Sequence, residues 1–247
     1  MRKVLVVGAT KGMGRALARR LAERGDQLHL LGRDLEDLER ASKDLEARSV
    51  GGNAPGFGHI DLENPEGFTA ALDSADEAIG SFDTVVITAA MFATQEELEE
   101  DADFALRLLR VNFAHTVALC EQVRKRLLMR GGGTLCVFSS VAGDRGRKPV
   151  GIYGSSKAGL SHYLESLDHK FREQGLVTIC VKPGFVKTGA TAHLSPPPFA
   201  GEPDPVAALV VQAIDRGTPL IYAPGIWRLV MLAIKHMPRA VMRKVGF

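Results

Sequence analysis

The chain has 247 residues, 45% hydrophobic and 24% charged, which is enough to bury one sizeable core and is ordinary for a soluble globular protein. A formal net charge of +2, with no long Lys/Arg run, excludes nucleic acid as a partner. Cys120, Cys136 and Cys180 lie in apolar segments without CxxC spacing, so they are expected to be buried thiols in a reducing, cytoplasmic compartment, and no metal site is expected.

The N-terminus, MRKVLVVGAT, enters a strand almost at once and lacks the apolar stretch of a signal peptide. Strands are expected at Lys3–Val7, Gln27–Leu31, Gly56–Ile60, Asp83–Thr88, Gly133–Ser139, Leu176–Val181 and Pro219–Ala223. Most are nearly continuously apolar, as strands covered on both faces must be. Between them, helical patterns occupy Met13–Arg24, Leu35–Arg48, Pro65–Ile79, Ala102–Arg130, Ile152–Gln174 and Pro205–Arg216. The alternation implies an α/β fold: one doubly wound Rossmann-type domain, its parallel sheet of about seven strands flanked by helices. The prolines of His193–Pro205 make that segment an irregular insertion. Residues 1–225 are expected to form the catalytic domain, with 226–247 as an apolar and basic helical tail.

Two stretches carry chemistry. Directly after the first strand, Gly8, Thr10, Lys11, Gly12, Met13 and Gly14 open a helix. Glycines there permit a tight turn and close approach, and the helix N-terminus offers free N–H groups to a pyrophosphate. Further on, Tyr153 and Lys157 lie one helical turn apart. An isolated phenol keeps its proton to about pH 10, and a neighbouring cation favours the phenolate, so the pair is either a proton-transfer device or only a surface Tyr beside a surface Lys.

The Gly-x3-Gly-x-Gly spacing resembles the short-chain dehydrogenase/reductase family, and the similarity continues from Lys3 to about Tyr222. Asp61, followed by Leu62, matches that family's adenine-contacting position, and Asn112 its helix Asn. Ser140 matches its substrate-binding Ser, and Tyr153 with Lys157 its Tyr-x-x-x-Lys. Pro183, Gly184, Val186 and Thr188 fall in its nicotinamide loop. Ile87, Thr88, Ala89 and Ala90 stand where the family usually has Asn-Asn-Ala-Gly; Ala89 and Ala90 are still expected to line the cofactor, and Ala90 brings a Cβ toward its ribose. The resemblance implies hydride transfer between a nicotinamide and a small carbonyl or alcohol. Tyr153 would be the proton donor, Ser140 would hold the substrate oxygen, and Asn112 would hold a water linking Lys157 to solvent. Lys157 would lower the phenol's pKa and grip the ribose. It also implies a homodimer or homotetramer built on the long helices.

The second strand ends on Gly32 and Arg33, with no acid where a free 2′-hydroxyl would be bound. Arg33 and Lys11 point to NADP(H), against NAD with the cations merely solvated. Asp34 is expected to cap the next helix. On the substrate side, Arg145, Arg147 and Lys148 form either a solvated loop or an attractor for an anionic substrate. The tail, with Ile226, Trp227, Leu229, Val230, Leu232 and Ile234 interrupted by Arg228 and Lys235, is expected to cover the cleft or a subunit interface; contact with a membrane surface, and then a lipid ketone as substrate, is the alternative. A catalytically silent NADP(H)-binding regulatory module is the competing reading of the whole chain.

Overall fold

The computed structural model describes residues 1–246. Seven strands form one sheet in the order β3-β2-β1-β4-β5-β6-β7, and every neighbouring pair is parallel. They are β1 (Lys3–Val7), β2 (Gln27–Gly32), β3 (Gly56–His59), β4 (Thr84–Ile87), β5 (Gly133–Phe138), β6 (Leu176–Pro183) and β7 (Leu220–Ala223). The chain leaves β1 outward to β2 and β3, then returns to β4 on the other side. Between β1 and β4 the winding reverses, and in such sheets the crevice at the strands' C-terminal ends at this point takes the ligand.

The helices are α1 (Gly12–Glu23), α2 (Leu35–Glu46), α3 (Phe68–Ile79), α4 (Gln95–Glu100), α5 (Ala102–Leu109), α6 (Thr116–Met129), α7 (Gly151–Phe171), α8 (Pro203–Arg216), α9 (Trp227–His236) and α10 (Arg239–Met242). Although the strands read as unbroken apolar runs, alternate residues serve different layers. Leu5, Val7, Val85 and Val137 meet α3, α6 and α7 through Leu72, Val123 and Leu160. Val4, Val6, Val86 and Cys136 meet α1, α2 and α8 through Leu17, Leu38 and Val210. Each fully buried aliphatic side chain contributes roughly 1.5–3 kcal/mol, so both faces hold the sheet. Cys120, Cys136 and Cys180 are buried free thiols, as their apolar segments suggested.

The structure departs from the sequence expectations in three places. The helix expected over Ala102–Arg130 is interrupted by a wider π turn at Arg110–His115. Widened turns of this kind occur where side chains impose a demand that a regular helix cannot meet. Here Asn112, 1% exposed, bonds both backbone groups of Met91. Helix α4 was not anticipated; its Thr94–Glu97 capping box is a local start signal inside a loop. Helix α8 begins at Pro203 rather than Pro205, because prolines in a first turn lack only an N–H that would be unpaired anyway.

The tail forms two helices, α9 and α10, separated by Pro238. The inner face of α9, through Trp227, Met231 and Ile234, packs against Val141, Phe185 and Tyr222. Leu229 and Leu232 on its outer side stay 63% and 56% exposed. No helix among the described residues is long and apolar enough to cross a membrane.

A buried ion pair ties the β5–α7 segment to the sheet. Asp144, its side chain 1% exposed, accepts from Lys182 Nζ on β6 at 2.5 Å and from the Tyr222 hydroxyl on β7 at 2.7 Å. Removing one member of such a pair leaves the other charge buried and alone. Asp144→Ala is therefore expected to lower unfolding free energy by about 3–5 kcal/mol, measured by urea denaturation.

Candidate active site

Everything the sequence marked as functional lies along the C-terminal edge of the sheet. The turn after β1 supplies Gly8 to Gly14, the ends of β2 and β3 supply Arg33, Asp61 and Leu62, and the end of β4 supplies Ala89 and Ala90. Ser140 follows β5, Pro183 and Gly184 end β6, and Tyr153 and Lys157 lie in the first two turns of α7.

The glycine turn is built for close approach. Gly8 has φ +95°, and a Cβ on Gly14 would run into the Gly8 carbonyl and the Thr88 hydroxyl. Thr88 Oγ1 donates to Gly8 O at 2.9 Å and to Val7 O at 3.1 Å, strapping the turn to β4. Thr88 thus provides a hydrogen bond where the family's usual Asn was missing from the sequence. Helix α1 starts at Lys11 with no side-chain cap and no acid in its first turn. Its leading N–H groups and positive dipole end therefore suit a pyrophosphate, and the residues present fit a dinucleotide.

Around the expected ribose pocket, cations and carboxylates interleave. Arg33 lies 3.3 Å from Glu63, which Arg107 also grips through two contacts of 2.6 Å. Lys11 pairs with Asp37 at 3.1 Å, and Arg40 shares that carboxylate at 2.7 Å. Asp34 caps α2 by accepting from the Asp37 N–H, as its position predicted. Asp61 holds the Glu63 N–H at 2.9 Å, and His115, from the π turn, reaches the Leu62 carbonyl at 2.6 Å.

On the reaction side, Lys157 is only 2% exposed and donates to the Phe138 carbonyl at 3.0 Å. Burial pushes its amine down to about 8. Its Nζ sits 5.9 Å from the centre of the Tyr153 ring. Desolvation pushes the Tyr153 phenol up to about 12, opposed by the Ser140 hydroxyl. This corrects one expectation. Burial sets the direction for this phenol while Lys157 Nζ is bonded to the Phe138 carbonyl, so the phenol keeps its proton at neutral pH rather than moving toward phenolate.

Ser140 and Tyr153 approach each other because the Val141–Asp144 turn packs tightly on α7. A Cβ at Gly154 would stand 2.7 Å from the Ala142 carbonyl. Ser140 Oγ accepts from the Ala142 N–H at 3.1 Å, and its own proton remains to be donated. Gln95 of α4 caps the start of α7 by accepting from the Ile152 N–H at 3.0 Å.

The Asn112 side chain is spent within the chain. A buried amide must satisfy both its ends, and Asn112 accepts from the Met91 N–H at 2.7 Å and donates to the Met91 carbonyl at 2.8 Å. Its side chain is thereby committed to the loop after β4. That loop carries Phe92, whose ring meets Tyr153 edge-on at 5.2 Å between centres. Sequence reading missed Thr88 as a strap, Phe92 as a wall and the Asp144–Lys182 pair; the Thr94–Glu97 capping box was the one local signal available in this loop.

A cavity of about 740 Å3 opens between α1 and the loop after β6, lined by Gly12, Phe185, Thr188 and Leu194. It borders the glycine turn rather than Tyr153. Val186 is buried and pairs with Gly201, and a Thr188 methyl would lie 3.2 Å from a Cβ on Gly12.

A family model for short chain dehydrogenases matches residues 2–198. This chain belongs to the short-chain dehydrogenase family. An uncharacterised oxidoreductase of Streptomyces coelicolor is 34% identical over 245 residues, covering 99% of this chain and 96% of that one. A short-chain type dehydrogenase/reductase from Mycobacterium ulcerans superposes with a TM-score of 0.82 at 22% identity, over 90% of this chain and 87% of the other. An actinorhodin polyketide ketoreductase variant solved with NADPH gives 0.81 at 23% identity, over 90% and 95%. The seven-stranded parallel sheet is thus that of a short-chain dehydrogenase.

Lys157 gives a pH test. Its folded pKa of about 8 lies below the ordinary 10.5, so between these values the unfolded chain binds the extra proton. Its contribution to stability is absent below about 8, grows with rising pH and is complete above 10.5. Lys157→Met should therefore lose a gain of about 2 kcal/mol that wild type shows between pH 7.5 and 9.5, read by urea unfolding at both pH values.

Proposed function

We propose that this short-chain dehydrogenase is an NADP(H)-dependent carbonyl reductase or alcohol dehydrogenase in which Tyr153 exchanges the proton. The observation that carries this reading is the Tyr153 phenol beside the Ser140 hydroxyl, with the buried Lys157 side chain one helical turn away. A bound reduced nicotinamide would supply hydride to the carbonyl carbon. As charge develops on the carbonyl oxygen, Ser140 donates a hydrogen bond to it and Tyr153 gives up its proton. A phenol held at about 12 is fully loaded as an acid near neutrality. The Lys157 charge would favour the phenolate left behind, and Lys157 would also hold the cofactor ribose. Asn112 acts as a positioning residue, holding Met91 and, through it, Phe92 against Tyr153.

The glycine turn and the unblocked start of α1 would hold the pyrophosphate, with Asp61 and Leu62 at the adenine and Pro183 to Thr188 at the nicotinamide. NADP(H) is favoured over NAD by Lys11 and Arg33, whose side chains are 82% and 64% exposed and can turn from Asp37 and Glu63 to a 2′-phosphate. The absence of an acid at Gly32 and the NADPH in the ketoreductase neighbour point the same way. A silent regulatory module would have no use for the complete Ser140, Tyr153 and Lys157 set. Assembly into a homodimer or homotetramer through α6 and α7 belongs to the same proposal.

Tyr153→Phe should bind NADPH with unchanged affinity, measured by its fluorescence, and lose at least about a hundredfold in kcat across a panel of ketones and aldehydes. Retained turnover would remove Tyr153 as the acid. Lys11→Ala and Arg33→Ala should each raise the KM for NADPH by about tenfold or more, leaving that for NADH nearly unchanged.

A further inference from the structure

A second cavity, of about 400 Å3, lies where the loop before α7 meets α10. Five cations line it: Arg145, Arg147 and Lys148 from the loop, and Arg239 and Arg243 from the tail. Among the described residues no carboxylate lines it and none of the five is in an ion pair, whereas arginines elsewhere, such as Arg20, Arg24 and Arg126, are paired. The nearby carboxylate of Asp144 is already taken by Lys182 and Tyr222.

The cluster is also built rather than loose. Arg145 donates to the Met237 carbonyl at 3.1 Å and Lys148 to the Arg243 carbonyl at 2.8 Å, so loop and tail fix each other. Arg147 Nε is buried without a hydrogen-bond partner. Desolvation holds the Arg147 guanidinium below its usual pKa. Five like charges gathered around one cavity repel one another. An unpartnered buried donor adds a further cost of about 1–3 kcal/mol. Both costs are relieved by a multiply charged oxyanion, and a phosphate ester, with up to two charges and three acceptor oxygens, matches forked guanidinium donors.

We propose that this cavity binds a phosphate group, and that the group belongs to the molecule reduced at Tyr153. The placement follows from chain geometry. Lys148–Val150 is a short 3-10 turn running straight into α7. Tyr153 lies six residues after Arg147, which bounds the distance between them at about 20 Å. A carbonyl compound whose phosphate ester lies within that reach of its reacting carbon spans the two sites. This substrate class rests on the reading of Tyr153 given above; the phosphate site itself does not. The phosphate could come from a soluble ester or from a lipid headgroup brought by the exposed Leu229 and Leu232 of α9.

The test titrates inorganic pyrophosphate into the full chain by calorimetry, comparing wild type with Lys11→Ala/Arg33→Ala and with Arg239→Gln/Arg243→Gln. The latter two positions are exposed, so their loss leaves the core intact. Binding that survives the first pair and weakens about tenfold or more in the second is expected. Binding that is absent, or indifferent to Arg239 and Arg243, overturns the site. Co-sedimentation with phosphatidylglycerol against phosphatidylcholine vesicles separates the sources. Anionic-vesicle binding lost in Arg239→Gln/Arg243→Gln assigns a lipid phosphate, and pyrophosphate binding without vesicle binding assigns a soluble ester. With intact pyrophosphate binding, failure to turn over any carbonyl, phosphorylated or not, counts against Tyr153 and against the substrate role. A KM that rises in this variant for phosphorylated carbonyls alone supports that role, and an unchanged KM overturns it.

Discussion

The site depends on one buried ammonium. Taking a lysine charge out of water is costly unless a partner is found close by, and Lys157 finds it in the Phe138 carbonyl at the end of β5. The bond is answered in reverse, since Ser139 Oγ donates to the Lys157 carbonyl at 2.9 Å. Together they stitch α7 to the end of β5, two residues before Ser140. Tyr153, one turn earlier on the same helix, is carried to its place by the same stitch. The charge that suits the chemistry is also the charge that fixes the geometry, and its depressed pKa records the cost of holding it there.

A second constraint is the π turn between α5 and α6. One widened turn anchors two loops at the crevice: Asn112 holds the Met91 backbone and His115 holds the Leu62 carbonyl. The first loop sets Phe92 against Tyr153, and the second carries Asp61 and Leu62 at the end of β3. A regular helix would rotate these side chains off one of their partners, since each residue advances the face by about 100°. The local irregularity serves both halves of the expected cofactor pocket.

Charge is handled differently in the three basic regions. Around Arg33 and Lys11, carboxylates neutralise cations through exposed contacts, which contribute little and exchange easily. At Asp144 and Lys182 the pair is buried and structural. In the cavity beneath α10 the cations are left without acids among the described residues, and only Arg145 and Lys148 bond backbone carbonyls. Unneutralised charge gathered in one cavity is an arrangement that calls for an anion. The tail thereby has two faces of use: Trp227, Met231 and Ile234 pack against Val141, and α10 completes the basic cavity.

By itself, the sequence determined the parts that local rules govern. Apolar β-branched runs separated by amphipathic stretches required a parallel sheet covered on both faces. The Gly8-to-Gly14 turn required a strand-to-helix junction that a backbone ligand can approach, and Asp34 declared itself a cap. The order of Ser140, Tyr153 and Lys157 marked the reacting edge. What only the tertiary structure decided depends on contacts between residues far apart in the chain: Thr88 strapping the glycine turn, Asn112 spent on Met91, and the pKa of Tyr153. A spacing of four residues can place a cation near a phenol, but the desolvation that sets their proton affinities comes from everything packed around them. The same reason hid the basic cavity, since Arg147 and Arg243 become neighbours only when the tail folds back over the loop.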